Sequence, residues 1–164
     1  MKKIRKTMRL NAVPNDLTTT EQVAVINLAL NILTERHSPG QALTSPTDTA
    51  KYLRIKLADY KNEVFCALFL DNRHRVLAFE ELFFGTINGA SVHPRVVVQR
   101  AMEINAGAVI FAHNHPSGIS EPSHADRTLT IRLKDALNFV DVRVLDHIVV
   151  GAGETTSFAE TGLL

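Results

Sequence analysis

A short apolar strand, a long polar loop and a capped helix follow one another between residues 108 and 137. The run from Ala108 to His113 is apolar and of strand length, and the next nine residues form a polar loop that contains two prolines. Ser123 then starts a helix that we predict to end near Leu137, with Asp126 placed to cap its first turn. A buried strand that leads into a helix indicates a domain in which helices cover a sheet.

The flanking segments predict the rest of this domain. Before residue 108, we predict strands at Val64–Leu70 and Val76–Phe84, joined by a turn at Asp71–His74, and a helix from Pro94 to about Asn105. After residue 137, we predict one or two strands from Val142 to Val150, broken at Asp146-His147, and a last short strand at Ser157–Glu160. This order of strands and helices predicts an α/β sandwich with a mixed sheet.

Two helices are predicted before this α/β body. Thr18-Thr19-Thr20-Glu21 offers a capping box, and apolar residues at helical spacing follow it until the breaking sequence 36–40. Ser45-Pro46 starts a second helix, with serine as the cap and proline at the first helical position. We therefore divide the chain into an N-terminal helical extension, residues 1–42, and a domain of residues 43–164.

Charge gives weak support for a nucleic-acid partner. The 164 residues carry 18 Lys and Arg against 17 Asp and Glu, a net charge of +1, whereas backbone binding to nucleic acid needs a clustered basic face. The one local excess lies at the start of the chain, in Lys2, Lys3, Arg5, Lys6 and Arg9. This segment is interpreted either as a solvated terminus or as an arm that touches nucleic acid.

The remaining composition predicts a soluble protein of the cytoplasm. Cys66 is the only cysteine, so no internal disulfide can form, and its apolar surroundings predict a buried thiol. No run approaches the roughly 18 apolar residues that a membrane span requires, and no signal peptide follows the basic start. The oligomeric state stays open.

Two histidines at the end of the predicted strand are candidate metal ligands. In an extended chain, His113 and His115 point to the same side, so their rings can converge on one ion. Asp126 can add a carboxylate if the loop folds back, and two imidazoles with one carboxylate suit zinc with an open fourth position. The alternative interpretation treats Ser123 and Asp126 as an ordinary helix cap, and both interpretations of Asp126 can hold together.

The order and spacing of these residues match the pattern of a known family. The pattern His113-x-His115-x7-Ser123-x-x-Asp126 matches the JAMM pattern of JAB/MPN metalloproteases, and the chain resembles the RadC family from residue 43 to residue 164. Further RadC-like motifs are Ala112-His113-Asn114-His115-Pro116-Ser117-Gly118, Leu145-Asp146-His147-Ile148-Val149-Val150-Gly151, Glu81-Leu82-Phe83-x-Gly85-Thr86 and Val92-His93-Pro94-Arg95. The ending Ser157-Phe158-Ala159-Glu160-x-Gly162-Leu163-Leu164 is similar to that of short, prophage-associated members. One departure is Val96, where the family usually has an acidic residue.

The resemblance implies a fold and a set of site residues. It implies a JAB/MPN-type, cytidine deaminase-like mixed sheet flanked by helices, with one zinc ion per chain held by His113, His115 and Asp126. Ser123 matches the serine that hydrogen-bonds the tetrahedral intermediate, and such a hydroxyl could donate to a developing oxyanion. The family's general base is a glutamate from an earlier segment.

Three glutamates are candidates for that base. Glu63 is favoured because it opens the first strand of the domain, where the family pattern coincides best with this sequence. Glu80 and Glu81 lie in the second strand, where alternation lets only one of them face the site. For each of the three, the alternative is a charge that faces solvent.

The other histidines have weaker assignments. His147 is interpreted either as a partner that orients a metal ligand or as a structural histidine satisfied in the core. His93 is expected at a helix start, His124 at an exposed position, and His37 and His74 in loops. Gly118 is expected to provide the turn of the loop between the histidines and Ser123.

Two functions follow as hypotheses. The first is a zinc-dependent hydrolase, most simply a metallopeptidase or isopeptidase with a peptide or protein substrate. The second is a DNA-associated accessory protein in which the metal site is mainly structural. Nuclease chemistry is the weakest alternative, because nucleases more often use carboxylate-rich or paired-metal sites. The sequence does not identify the substrate.

Overall fold

The computed structural model describes residues 13–36, 39–40, 42–43, 45–87 and 89–164. The basic cluster between Lys2 and Arg9 and the histidine at position 37 lie outside these residues. The suggested contact between the basic segment and nucleic acid therefore stays a prediction.

Up to Val150, the helices and strands of the described chain follow the predicted order. After a short 3-10 helix, Pro14–Asp16, the helices are α1 (Thr19–Arg36), α2 (Pro46–Leu57), α3 (Pro94–Ile104), α4 (His124–Asn138) and α5 (Phe158–Thr161). The strands are β1 (Val64–Leu70), β2 (Val76–Phe84), β3 (Ala108–Asn114), β4 (Arg143–Val150) and β5 (Thr155–Ser157).

The five strands form one mixed sheet in the order β2-β1-β3-β4-β5. The pairs β1/β2, β1/β3 and β4/β5 are antiparallel, whereas β3 and β4 are parallel. A parallel pair needs a crossover connection, and α4 provides it between β3 and β4. The predicted α/β class, a mixed sheet flanked by helices, is confirmed.

Strand β1 lies near the centre of the sheet and is covered on both faces. All seven of its residues are buried, which explains why its sequence is continuously apolar. On one face, α3 and α4 enclose a core that includes Phe65, Phe111 and Leu133. On the other face, α2 packs against residues such as Cys66, whose thiol is buried as predicted and has its pKa raised by that burial.

A bulge in β4 changes which face its side chains occupy. Val109 pairs with Val144, but the next residue of β3, Ile110, pairs with Asp146, so that Leu145 is the extra residue. Without the bulge, alternation would place His147 on the opposite face from Val144. With it, His147 lies on the α4 side of the sheet, and the segment predicted as one or two strands is a single bulged strand.

The predicted strand at Ser157–Glu160 is wrong. β5 ends at Ser157, and the following residues form the short helix α5. The Ser157 hydroxyl accepts a hydrogen bond from the Glu160 N–H at 3.1 Å, which starts the helix. Gly162, in the left-handed conformation, ends it. The capping serine and the glycine outweigh the apolar pattern.

The two N-terminal helices begin where their caps predict. The Glu21 N–H donates to the Thr18 hydroxyl, and the Glu21 carboxylate accepts from the Thr18 N–H at 3.0 Å, which completes the capping box. The Ser45 hydroxyl accepts from the Asp48 N–H at 3.1 Å, with Pro46 at the first helical position. None of the described helices is both long and apolar enough to cross a bilayer.

The core on the α4 face predicts which side chains of the domain cannot be shortened without loss of stability. Leu133 and Ile131 lie on the same helix, but Leu133 is fully buried and Ile131 is 57% exposed. Leu133→Ala is expected to lower the free energy of unfolding by about 2–5 kcal/mol, because it removes buried methyl groups and leaves a cavity. Ile131→Ala is the matched control, expected within about 0.5 kcal/mol of wild type. Urea unfolding measures both, and equal losses would contradict this account.

Candidate metal centre

Two histidine rings converge at the end of β3. His113 is buried, and His115 lies just past the last residue of the strand, where its N–H donates to the Val150 carbonyl of β4 at 2.9 Å. The backbone hydrogen bonds to β4 therefore continue one residue beyond β3, and both histidine rings lie on the α4 side of the sheet. The two Nε2 atoms are 2.9 Å apart.

The capping box of α4 brings a carboxylate to the same point. The Ser123 N–H donates to the Asp126 carboxylate at 2.7 Å, and the Asp126 N–H donates to the Ser123 hydroxyl at 3.1 Å. This fixes Asp126 at the first turn, where its two oxygens lie 3.3 Å from His113 Nε2 and 3.4 Å from His115 Nε2. The carboxylate therefore acts as a helix cap and faces both imidazoles, so the two sequence-based interpretations hold together.

The spacing of these three groups fits one small tetrahedral cation. Their candidate ligand atoms all lie within 4.8 Å of one another. Zinc binds nitrogen and oxygen at about 2.0–2.1 Å, for which tetrahedral ligands lie roughly 3.3 Å from each other. The two Nε2 atoms are 2.9 Å apart, and the nearest carboxylate oxygen is Oδ1 for His113, at 3.3 Å, and Oδ2 for His115, at 3.4 Å, which is close to that spacing. No other cluster of this kind occurs among the residues that the structure describes.

The proton positions on His113 and His147 follow from their neighbours. The Thr130 hydroxyl lies 2.6 Å from the main-chain oxygen of Asp126 and must donate to it, because a carbonyl carries no hydrogen. The Nδ1 of His147, 2.7 Å from the same hydroxyl, therefore donates to Thr130. Burial holds the pKa of His147 well below its usual range. The neutral ring thus presents a bare Nε2 to His113 Nδ1, 2.8 Å away, and His113 donates from Nδ1.

The same reasoning identifies the nitrogen of each histidine that faces the carboxylate. Burial lowers the pKa of His113 to about 4, so its ring is neutral with a lone pair on Nε2. His115 uses Nδ1 to donate to the Ile119 carbonyl at 2.7 Å, which also directs its Nε2 toward the carboxylate. The proton on His115 Nε2 bonds to the Asp126 carboxylate, and a metal ion that takes this position would release it. The donor set therefore fits a metal ion.

Asp126 and His115 each shift the pKa of the other. Burial raises the pKa of the Asp126 carboxyl, but hydrogen bonds from His115 and Ser123 and the nearby His113 outweigh it and hold the pKa far below its ordinary range. The hydrogen bond to Asp126 is also the main cause that raises the pKa of His115. Asp126 is therefore ionised throughout the physiological range, as a metal ligand must be.

Glu63 lies beside this cluster because of the register between β1 and β3. Phe65 pairs with His113, and Glu63, two residues before Phe65, is in the wall of the same pocket as both histidines. The Glu63 carboxylate accepts a hydrogen bond from the Ala90 N–H at 3.1 Å. Partial burial raises the pKa of Glu63, the Ala90 bond lowers it, and the Asp126 charge raises it again, with a net shift upward.

The other two candidate glutamates lie elsewhere. Glu80 is on the α3 face, where the Arg100 guanidinium donates to both of its carboxylate oxygens. Glu81 is on the opposite face of β2, across from Cys66, and hydrogen-bonds to Tyr60. Neither carboxylate lines the pocket that holds the histidines. That pocket has a volume of about 440 Å³, and Glu63 and Ser123 are in its wall.

Ser123 is in the pocket wall, but its hydroxyl proton has a partner. The hydroxyl donates to the Asp126 carboxylate at 2.6 Å while it accepts from the Asp126 N–H. To donate to an oxyanion, the hydroxyl has to turn away from that carboxylate. Its predicted role in stabilising an intermediate stays a prediction.

Sequence reasoning missed two residues that organise the site. Thr130 lies four residues after Asp126, and this helical spacing was the signal that it shares a face with the carboxylate. Asn114, between the two histidines, points to the opposite face. Its side-chain oxygen accepts from the Val64 N–H at 2.8 Å, and its amide donates to the Asn62 carbonyl at 3.0 Å. Asn114 therefore holds both chain neighbours of Glu63, and only the fold reveals this.

The remaining predicted positions are simple to place. His93 precedes the first residue of α3 without capping it through its side chain, and Val96 is exposed in the first turn of that helix. His124 is exposed, and His74 lies in the turn between β1 and β2 with a positive φ of 58°. Gly118 has a φ of +83°, so the loop turns there as expected.

Comparison with known proteins assigns the chain to a family. A model of the RadC-like JAB domain matches residues 43–163. The chain belongs to the RadC-like JAB domain family. A UPF0758 protein of Thioalkalivibrio sulfidiphilus is 61% identical over 141 residues, which are 86% of this chain and 63% of that protein. UPF0758 proteins of Nitrosococcus oceani and Vibrio cholerae are 60% and 56% identical over 88% and 85% of this chain, and over 65% and 88% of their own lengths.

The RadC-like JAB domain here matches relatives of different lengths. The chain spans about 63–65% of the first two relatives and most of the Vibrio cholerae protein. The family resemblance that the motifs predicted is confirmed. The names of these relatives specify no reaction, so the activity of this domain has to be argued from its site.

The Asn114 amide gives a prediction for the stability of this RadC-like domain. Asn114→Ala is expected to lower the free energy of unfolding by about 1–3 kcal/mol, because the buried Val64 N–H loses its acceptor. Asn138→Ala, at the exposed end of α4, is the control and is expected within about 0.5 kcal/mol of wild type. Denaturant unfolding measures both. An Asn114→Ala protein as stable as wild type would show that the hydrogen bonds of the Asn114 side chain do not stabilise the fold.

Proposed function

We propose that this RadC-like JAB domain is a zinc-dependent hydrolase that cleaves an amide bond in a peptide or protein, either a peptide or an isopeptide bond. One observation carries the proposal. Two imidazole Nε2 atoms and an ionised carboxylate converge within 4.8 Å in a pocket whose wall also holds a carboxyl group with a raised pKa. This combination suits the activation of water.

His113, His115 and Asp126 would hold one zinc ion per chain. When bound, zinc lowers the pKa of water toward neutrality and polarises a carbonyl group. The three residues come from β3, the loop after it and α4, and the hydrogen bonds described above fix each of them before a metal binds. A prearranged ligand set lowers the cost of ordering side chains around the ion.

Glu63 is the proposed general base. Its raised pKa brings the carboxyl group closer to the operating pH, which favours both acceptance and return of a proton. In the proposed reaction, Glu63 takes a proton from the attacking water and delivers it to the departing amide nitrogen. The bond between the carbonyl carbon and nitrogen breaks, and the products are a carboxylic acid and an amine. The Ala90 N–H holds one carboxylate oxygen, which orients the other.

Ser123 is proposed to steady the oxygen of the scissile carbonyl. Its hydroxyl is at the start of α4, beside Asp126 and in the wall of the pocket. A hydroxyl that turns from the carboxylate toward the developing oxyanion would stabilise charge where it forms.

The pocket has the size and walls expected for part of a peptide chain. Its volume of about 440 Å³ is within the usual range for small binding sites. Ile87, Val92 and Leu129 provide apolar walls beside the polar groups. An extended segment with an aliphatic side chain matches this lining better than a polyanion does.

Metal content tests the proposed site directly. Wild-type protein, purified without chelator or metal-affinity resin, is expected to contain about one zinc ion per chain, and Asp126→Ala is expected to lose it. Asp135→Ala, on the exposed side of the same helix, is the matched control and should keep the metal. Mass spectrometry of the metal measures all three. Wild type that takes up no zinc even after incubation would overturn the proposal.

Substitution of each candidate glutamate tests the general base. Glu63→Gln is expected to keep its zinc, and its turnover rate is expected to fall about 10²–10⁴-fold, because the amide cannot accept a proton. Glu80→Gln and Glu81→Gln are expected to retain turnover, since their carboxylates lie outside the pocket. The measurement uses a fluorogenic peptide or isopeptide substrate found by screening wild type. Full turnover in Glu63→Gln, or loss in Glu81→Gln instead, would contradict the assignment.

A further inference from the structure

A buried chain of hydrogen bonds connects two of the candidate ligands through residues that do not line the pocket. It runs from His113 Nδ1 to His147, from His147 Nδ1 to the Thr130 hydroxyl, and from that hydroxyl to the main-chain oxygen of Asp126. The chain begins in β3, passes through β4 and ends in α4. The two ligands are therefore connected through the core as well as through the pocket.

Each bond in this chain has a fixed direction. The Asp126 carbonyl can only accept, so Thr130 donates to it and uses its single hydrogen. Every group further along must then donate toward Thr130, up to His113. The direction forces His113 to carry its proton on Nδ1, away from the carboxylate, and to leave Nε2 bare.

The surroundings keep other partners away from the chain. His147 and Thr130 are 0% and 1% exposed. The His147 ring stacks on Phe158 at 4.8 Å between centroids, and it makes T-shaped contacts with the rings of Phe65 and Phe111. A group that loses its partner in this apolar enclosure has no water to replace it.

We infer that His147 and Thr130 are positioning residues that hold His113 in the one tautomer and ring orientation able to bind the metal through Nε2. The inference rests on the proposed zinc site and extends it from three ligands to the groups behind them. Neither residue is in the pocket wall, so they act on the metal through His113 and Asp126. Partners of this kind commonly change metal affinity by about 10–100-fold when removed.

Zinc affinity of a matched set of threonine variants tests this inference. Thr130→Val removes the hydroxyl at nearly constant shape, whereas Thr130→Ser keeps it. The control is Thr49→Val, because Thr49 is also buried and its hydroxyl donates to the carbonyl four residues earlier, Ser45, at 3.1 Å. Thr49 belongs to α2, on the other face of the sheet. Its variant therefore shows how the loss of a buried hydroxyl affects zinc affinity when the histidine chain is intact.

The readout is the zinc dissociation constant from competition with a chromophoric chelator, and it does not depend on any substrate. Thr130→Val is expected to bind zinc at least about tenfold more weakly than wild type. Thr130→Ser and Thr49→Val are expected to bind it about as tightly as wild type. Thr130→Val with unchanged affinity would overturn the inference and leave the zinc site standing. Wild type without zinc would overturn the proposed function itself.

Nitrogen NMR of histidine-labelled wild type provides a test that needs no variant. His147 is expected as the Nδ1–H tautomer with and without zinc, and His113 as the Nδ1–H tautomer in the zinc-loaded protein. A proton on Nε2 of His147 would reverse the chain and overturn the inference, even if Thr130→Val failed to fold. Circular dichroism of each variant shows whether its affinity refers to a folded protein.

Discussion

The antiparallel pairing of β1 with β3 is the constraint on which the rest of the structure depends. These two strands form the middle of the sheet, and the pairing of Phe65 with His113 fixes which residues meet at its end. A shift by one residue would turn the side chains of one strand to the opposite face. Glu63 would then lie away from the histidines. The Asn114 amide, bonded to both chain neighbours of Glu63, holds this register at the position where the site forms.

A second constraint is that polar side chains in the core need hydrogen-bond partners there. His113, His147 and Thr130 are buried among aromatic rings, yet each has a hydrogen-bond partner. No side-chain polar atom buried in the described part of the chain is left without one. Since an unpaired buried group is costly, the chain specifies ring orientations as well as stability. The bulge at Leu145 is what brings His147 to the correct face.

Local signals in the sequence predicted most of the elements, because caps and turns act over three or four residues. Ser45-Pro46, Ser123 with Asp126, and Thr18 with Glu21 all start helices where expected. The failure at Ser157–Glu160 has the same origin. A capping serine followed by a glycine that can end a helix was a helix signal, and the apolar pair Phe158-Ala159 between them obscured it. Each of these outcomes is decided by hydrogen bonds between near neighbours.

Sequence patterns alone predicted the fold class, the family and three candidate metal ligands, because alternation places His113 and His115 on one side and a capping box places Asp126 at a helix start. They left Glu63, Glu80 and Glu81 as alternatives and His147 undecided. Only the tertiary structure separated these, by bringing Glu63 beside His115, Glu80 to Arg100, and His147 between His113 and Thr130. The physical reason is that strand register and a one-residue bulge are set by packing between distant segments, which no local pattern encodes.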